Sequence, residues 1–134
     1  MNRKILLVGT VSNVAKTIEK ELRVVLKALS IFDFVEVFLV ESDSTDDTVK
    51  ILNKIKLNNS NFKFITLGKL KGEYPNRIER IAYCRNIYVK YIREQNDILE
   101  WSYIAIADLD GMNFKLSKKF INSCFVKKLN WDGV

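Results

Sequence analysis

Asp108 and Asp110, one residue apart in the run Ile104–Asn113 (IAIADLDGMN), are the residues of this 134-residue chain best suited to chemistry. They follow a short apolar stretch, Tyr103–Ala107, and precede a turn at Gly111. Side chains alternate faces along a strand, so a backbone that stays extended through Leu109 projects both carboxylates the same way. Two carboxylates at the mouth of a buried strand suit a hard divalent cation, which takes a few protein oxygens and completes its shell with phosphate oxygens and water. The plainer reading is a pair of aspartates that open a polar loop after a strand. A bare D-x-D does not decide between the two, and the surrounding elements must.

Composition narrows the chemistry. The chain has no His, which removes Ser-His-Asp and Cys-His catalysis and the usual zinc sites within it. Cys84 and Cys124 lack metal-type spacing and fall in segments that read as helical. Reduced, buried thiols in a cytoplasmic protein are the expectation, and a disulfide is the alternative. The 22 Lys and Arg against 16 Asp and Glu leave a charge of +6, which favours anionic partners: nucleotide phosphates, an acidic membrane surface or nucleic acid. The phenylalanines Phe32, Phe34, Phe38, Phe62 and Phe64 fall in or beside core strands rather than between basic residues, so the expectation is no nucleic acid. Hydrophobic residues make up 48% of the chain, enough for the core of one domain over 1–134. No apolar run approaches the roughly 20 residues of a membrane span.

Four apolar runs read as strands, at 4–9, 35–40, 63–67 and 102–107. Between the first two, Val14, Ile18, Leu22, Val25, Leu26 and Leu29 recur at helical steps after a cap at Ser12 or Asn13. A second helix runs from Thr45 to about Lys56, with Ser44 and Asp47 spaced as a capping box; Asp46 and Asp47 suit its positive N-terminal end and are not counted as site residues. The third helix, Arg77 to about Glu94, has Ile78, Ile81, Ala82, Tyr88 and Ile92 in an apolar stripe that also contains Arg85. A charge in such a stripe needs a partner or a ligand. Ser117 caps a last helix, Lys118–Lys128, with Phe120, Ile121, Cys124 and Phe125 inward. Unbroken apolar strands alternating with helices predict a three-layer α/β/α fold around a mostly parallel sheet, in spatial order 3-2-1-4.

Ligands of such sheets bind beyond the carboxyl ends of the strands. Three polar clusters fall there: Thr10-Val11-Ser12-Asn13, Glu41-Ser42-Asp43-Ser44 and Asp108-Leu109-Asp110. Neither G-x-x-x-x-G-K-[ST] nor G-x-G-x-x-G occurs, which argues against a P-loop and against common dinucleotide binding.

Read in order, the clusters resemble the first half of a GT-A fold glycosyltransferase of the family-2 type. VEVFLVESDSTDDT is similar to that family's strand followed by D-D-G-S-T-D-x-T, RIAYCRNIYVKYI to its A-R-N helix with Arg85-Asn86 as the signature pair, and YIAIADLDG to its Y-[IV]-x-x-L-D-x-D strand. Nucleotidyltransferases share much of the architecture but open with a Gly-rich loop that Val8-Gly9-Thr10-Val11-Ser12 does not offer, and they stand as the alternative together with a nucleotide-binding module without turnover.

The resemblance implies a nucleotide-diphosphate sugar as donor, a glycan or lipid-linked acceptor, and Mn or Mg as the cation. It also implies roles. Thr10 and Val11 would line the base pocket, Glu41 and Ser42 would contact base and ribose, Arg85 would face the nucleotide, Asp108 the ribose or metal-bound water, and Asp110 would ligate the metal. Ser42 stands where the family has a second acid, and Asp43 where it has Gly, which leaves UDP open as the donor nucleotide. Proteins of this fold are normally about twice as long, so the resemblance implies a truncated, donor-binding half that lacks the acceptor half. Asp132 is the one acid after Asp110. Two surface expectations complete the reading: self-association through the unpaired edge of strand four, and peripheral membrane contact at the inner face through the basic helix Lys115–Lys128, for which a solvated helix face is the plainer reading.

Overall fold

From Ile5 to Val8 every side chain of the first strand is buried, which an isolated half-covered strand would not allow. The reason is a central position with cover on both faces. In the computed structural model, which describes residues 3–94 and 102–126, the chain runs β1 (Lys4–Val11), α1 (Ile18–Leu29), β2 (Phe34–Glu41), α2 (Thr48–Asn58), β3 (Phe62–Thr66), α3 (Arg77–Glu94), β4 (Tyr103–Ile106) and α4 (Lys118–Val126). The strands are all parallel and lie in the order β3-β2-β1-β4, as the sequence predicts.

Alternation sorts the core into two layers. On one face Ile5, Leu7, Val37, Leu39 and Phe62 pack with Ile18, Leu22, Val25 and Leu29 of α1, Leu52 of α2, and Ile121 and Phe125 of α4. On the other, Leu6, Val8, Phe38 and Val40 pack with Cys84 and Tyr88 of α3 and with Leu70. Each fully covered aliphatic side chain contributes about 1.5–3 kcal/mol by leaving water. At the foot of the sheet the Tyr91 hydroxyl donates to Glu36 Oε1 at 2.6 Å, Lys63 Nζ donates to the same oxygen at 3.2 Å, and the Tyr91 ring stacks on Phe38. Burial and the Glu36 carboxylate both push the Tyr91 phenol above its ordinary pKa. This cluster ties α3 to β2 and β3.

Several boundaries differ from the expectation, each for a visible reason. α1 begins at Ile18 rather than after Ser12 or Asn13, and its N-cap Thr17 makes no side-chain cap bond. Asn13 instead adopts a left-handed backbone (φ 53) and turns its side chain to another loop. α2 begins at Thr48, and the Ser44–Asp47 capping box does not form; the Asp46 carboxylate takes the Thr48 amide instead, at 3.0 Å. On α3 the covered face is Cys84 and Tyr88, while Ile78 is 77% exposed, because the N-terminal half of the helix overhangs the end of the sheet. Phe120, expected inward, is 58% exposed. Neither Cys84, which is buried, nor Cys124, which is half-buried, is joined in a disulfide among the described residues. Trp101, Lys127, Lys128 and Asp132 lie outside the described residues.

One close approach sets where the aspartate pair emerges. β4 joins β1 with Val8 opposite Ile106, and the Ala107 amide donates to the Val8 carbonyl at 3.0 Å. Gly9 faces Ala107 here, and a Cβ on Gly9 would collide with the Ala107 carbonyl oxygen. Backbone cannot yield as a flexible side chain does, so Gly9→Ala should lower stability by about 1–3 kcal/mol, the usual cost of overpacking. Urea unfolding monitored by circular dichroism measures it; a variant as stable as the parent would show that β4 shifts freely.

Candidate functional site

The carboxyl ends of β1, β2 and β4 and the overhanging half of α3 enclose a cleft of about 530 Å³. Its walls include Thr10, Val11 and Ser12 from the end of β1, Ser42 and Asp43 after β2, Lys71 from the loop before α3, Arg77, Arg80, Ile81, Cys84 and Arg85 from α3, and Asp108, Leu109 and Asp110 after β4. Arg77, Ile81 and Arg85 fall four residues apart, so they share one helix face.

The aspartate pair behaves as alternation requires. Leu109 is 1% exposed and belongs to the core, while Asp108 and Asp110 on either side are exposed at the cleft. A buried residue that sequence reading passed over holds this turn. Glu21 on α1 is fully buried, and its Oε2 accepts the Gly111 amide at 2.8 Å. Its Oε1 accepts the Asn113 amide at 3.1 Å and the Asn113 side-chain amide at 2.8 Å. The same Asn113 amide nitrogen donates to the Asp108 carbonyl at 2.7 Å. Gly111 sits at φ 96, a region side chains avoid. A buried carboxylate is tolerated only with such a full set of donors. In sequence Glu21 is one more charged residue of α1, without a signal to separate it from Glu19.

The other two loops latch to each other. The Asn13 amide donates to Ser44 Oγ at 3.0 Å, and Asn13 Oδ1 accepts the Thr45 amide at 2.7 Å. The Val14 amide donates to Thr48 Oγ1 at 2.9 Å, and the Ala15 amide to Asp46 Oδ2 at 3.1 Å. Desolvation pushes the Asp46 carboxyl up, but hydrogen bonds from the Thr48 hydroxyl and amide and from the Ala15 amide outweigh it and hold its pKa below the ordinary 3.8. Glu41, expected against base and ribose, is 1% exposed and is not part of the cleft lining. Its Oε1 accepts the Ser44 amide at 3.0 Å and its Oε2 the Thr66 hydroxyl, so its carboxylate is spent on shaping the loop.

Thr10, Val11, Ser42, Arg85, Asp108 and Asp110 are brought together at the cleft. Ser42 Oγ accepts from the Cys84 thiol at 3.5 Å. Arg85, half exposed rather than inside the covered stripe, lies 3.9 Å from Asp108, a pair open to solvent and worth little by itself. Asp43 lines the cleft from a cluster the sequence places there, whereas Lys71, Arg77 and Arg80 were missed as cleft residues; only the fold carries the loop before α3 back over β2. Among the described residues no cluster of three or more His, Cys, Asp or Glu could hold a metal. Asp108 and Asp110 are the two carboxylates that could hold a divalent cation here, and they would need oxygens from outside the described residues to complete its shell.

Residues 8–92 match the family described as Glycosyl transferase family 2. The chain belongs to that family. No curated protein matches it. The matched stretch takes in the end of β1 from Val8, both latched loops and α3 as far as Ile92, well over half of the chain, and stops short of Asp108. In this member of glycosyl transferase family 2 the matching stretch thus forms the cleft walls on β1, β2 and α3, and the function is glycosyltransferase-like. No helix of the described residues is long and apolar enough to cross a membrane.

Two outcomes follow from this geometry. Glu21→Ala leaves the Gly111 and Asn113 amides without their acceptor, at about 1–3 kcal/mol for each group kept from water. Amide hydrogen exchange should show both amides losing protection while β1 keeps its own; unchanged protection would mean the turn holds itself. The depressed Asp46 value predicts that its latch is fully present above the ordinary aspartate pKa and is lost as pH falls through the folded value. Asp46→Asn should therefore lower stability at neutral pH and flatten its fall in acid below about pH 4; parallel acid-unfolding curves for the two proteins would contradict this.

Proposed function

We propose that the cleft binds a nucleoside-diphosphate sugar with Mn or Mg and serves glycosyl transfer to a glycan or lipid-linked acceptor. The observation that carries this reading is the convergence of Asp108, Asp110 and the cations Arg85, Arg77 and Lys71 on one cleft at strand carboxyl ends, in a chain of glycosyl transferase family 2. Transfer breaks the bond between the anomeric carbon and the diphosphate oxygen, and negative charge grows on the departing diphosphate. Asp108 and Asp110 would hold the cation, which when bound supplies positive charge and orientation at that diphosphate.

The chain's own residues do the rest. Arg85 lies beside Asp108, where a phosphate oxygen can compete for its guanidinium. Thr10 and Val11 form the cleft wall at the end of β1, suited to one face of the base, and the Ser42 hydroxyl offers a neutral contact where a carboxylate would select a base with an N–H. Glu41 acts at one remove, as the group that fixes Ser44 and Thr66.

A thermal-shift and calorimetric panel of UDP-, GDP-, CDP- and dTDP-sugars, with and without Mn, tests the reading. One nucleotide should bind, and more tightly with Mn. Asp110→Asn should abolish the Mn-dependent part, and Arg85→Ala should weaken binding by more than the roughly 1 kcal/mol of a surface ion pair. Release of the nucleoside diphosphate in the presence of acceptor then establishes transfer. Metal-dependent binding that survives Asp110→Asn would overturn the metal assignment, and a panel without any binding would overturn the function.

A further inference from the structure

Asp43 occupies a left-handed backbone position (φ 57) that favours glycine and that aspartate enters more readily than most residues. The carboxylate is 8% exposed, and each oxygen is engaged. Oδ1 accepts the Leu70 amide at 2.9 Å and the Lys71 amide at 3.1 Å, while Oδ2 lies 3.8 Å from Arg80 Nε. Arg80, itself 15% exposed, donates from one terminal nitrogen to the Tyr74 carbonyl at 2.8 Å and the Pro75 carbonyl at 2.7 Å. The Asp43 amide donates to the Gly68 carbonyl at 2.8 Å. The pair thus grips the segment 67–76 at several points along its length, from the end of β2 on one side and from α3 on the other. Two of the three guanidinium nitrogens of Arg80 are thereby directed to the protein itself. Lys71, on the gripped segment, lines the cleft, and no hydrogen bond or ion pair among the described residues engages its ammonium.

We propose that Asp43 and Arg80 are positioning residues that fix this loop as a wall of the cleft and so present Lys71 to the phosphate groups of the nucleotide. The inference rests on the reading of the cleft as a nucleoside-diphosphate site. It adds a phosphate contact from a loop that lies opposite the aspartate pair in the chain's order. It also gives a reason for an aspartate where the backbone prefers glycine: glycine would relieve the backbone and release the loop.

The test is a double-mutant cycle on Lys71→Ala and Asp43→Gly, the latter chosen because glycine suits the φ. Binding of UDP, GDP, CDP and dTDP with Mn is measured by calorimetry at two salt concentrations, and binding of the matching uncharged nucleosides by NMR titration. Lys71→Ala should weaken the diphosphate that the parent binds by about tenfold, or 1.4 kcal/mol, and flatten its salt dependence. Asp43→Gly should do the same, and the double variant should be no worse than about twofold below the weaker single. Nucleoside binding should stay unchanged in all three. Arg80→Lys keeps the charge but loses the fork on the two carbonyls, and should repeat the Asp43→Gly result. Multiplicative losses in the double variant, equal losses for the uncharged nucleoside, or parent-like binding by Lys71→Ala would each overturn the proposal alone. A parent protein that binds none of the four diphosphates would overturn the functional reading with it.

Discussion

A buried carboxylate with both oxygens bonded to backbone or side-chain amides is the constraint on which the aspartate pair depends. Glu21 lies fully inside the layer between α1 and the sheet and accepts from Gly111 and Asn113. Without that acceptor, the turn after β4 would have to bury its amides unpaired or swing out to water. With it, Leu109 stays in the core and its two neighbours are held outward at the cleft. The fold supplies the rest of the alignment through Gly9, whose missing side chain lets the Ala107 backbone come against β1.

The polar residues at and behind the cleft divide into those that hold backbone and those that line the cleft itself. Asn13, Glu41, Ser44, Asp46 and Thr48 all bond to the loops themselves. The most recognisable polar run of the sequence, Glu41–Thr48, is therefore mainly a latch between the β1 and β2 ends rather than a row of ligand contacts. Its value to function is indirect: it fixes two loops whose remaining groups, Thr10, Val11 and Ser42, face the cleft. Fixing loops before a ligand arrives lowers the ordering cost of binding.

The strands and their order were legible because continuous apolar runs can satisfy both faces only in a covered parallel sheet. The aspartate pair was legible for a related reason, since alternation around a buried Leu109 needs no long-range information. Helix starts were not legible. Ser44 and Asp47 have the spacing of a capping box, yet Ser44 is claimed by Asn13, a residue far away in sequence, and the Thr48 amide is taken by Asp46. Glu21, Asp43 and Arg80 were missed or undervalued for the same cause: their partners lie on other elements, and nothing in the local pattern marks a charged side chain as buried. Arg85 lies at the cleft, but not by the argument from the apolar stripe, because its side chain is 53% exposed while the neighbouring Cys84 takes the covered position.

The metal–nucleotide complex proposed for this cleft would sit at Asp108 and Asp110. Paramagnetic broadening by Mn locates the ion directly, read residue by residue in amide NMR spectra recorded with the nucleoside diphosphate that binds. Broadening should centre on Asp108–Met112, extend to Thr10, Val11 and Arg85, and leave Glu36, Lys63 and Tyr91 at the foot of the sheet sharp. Broadening centred on the acidic run Asp43–Asp47 with Asp108–Met112 unaffected would contradict that placement.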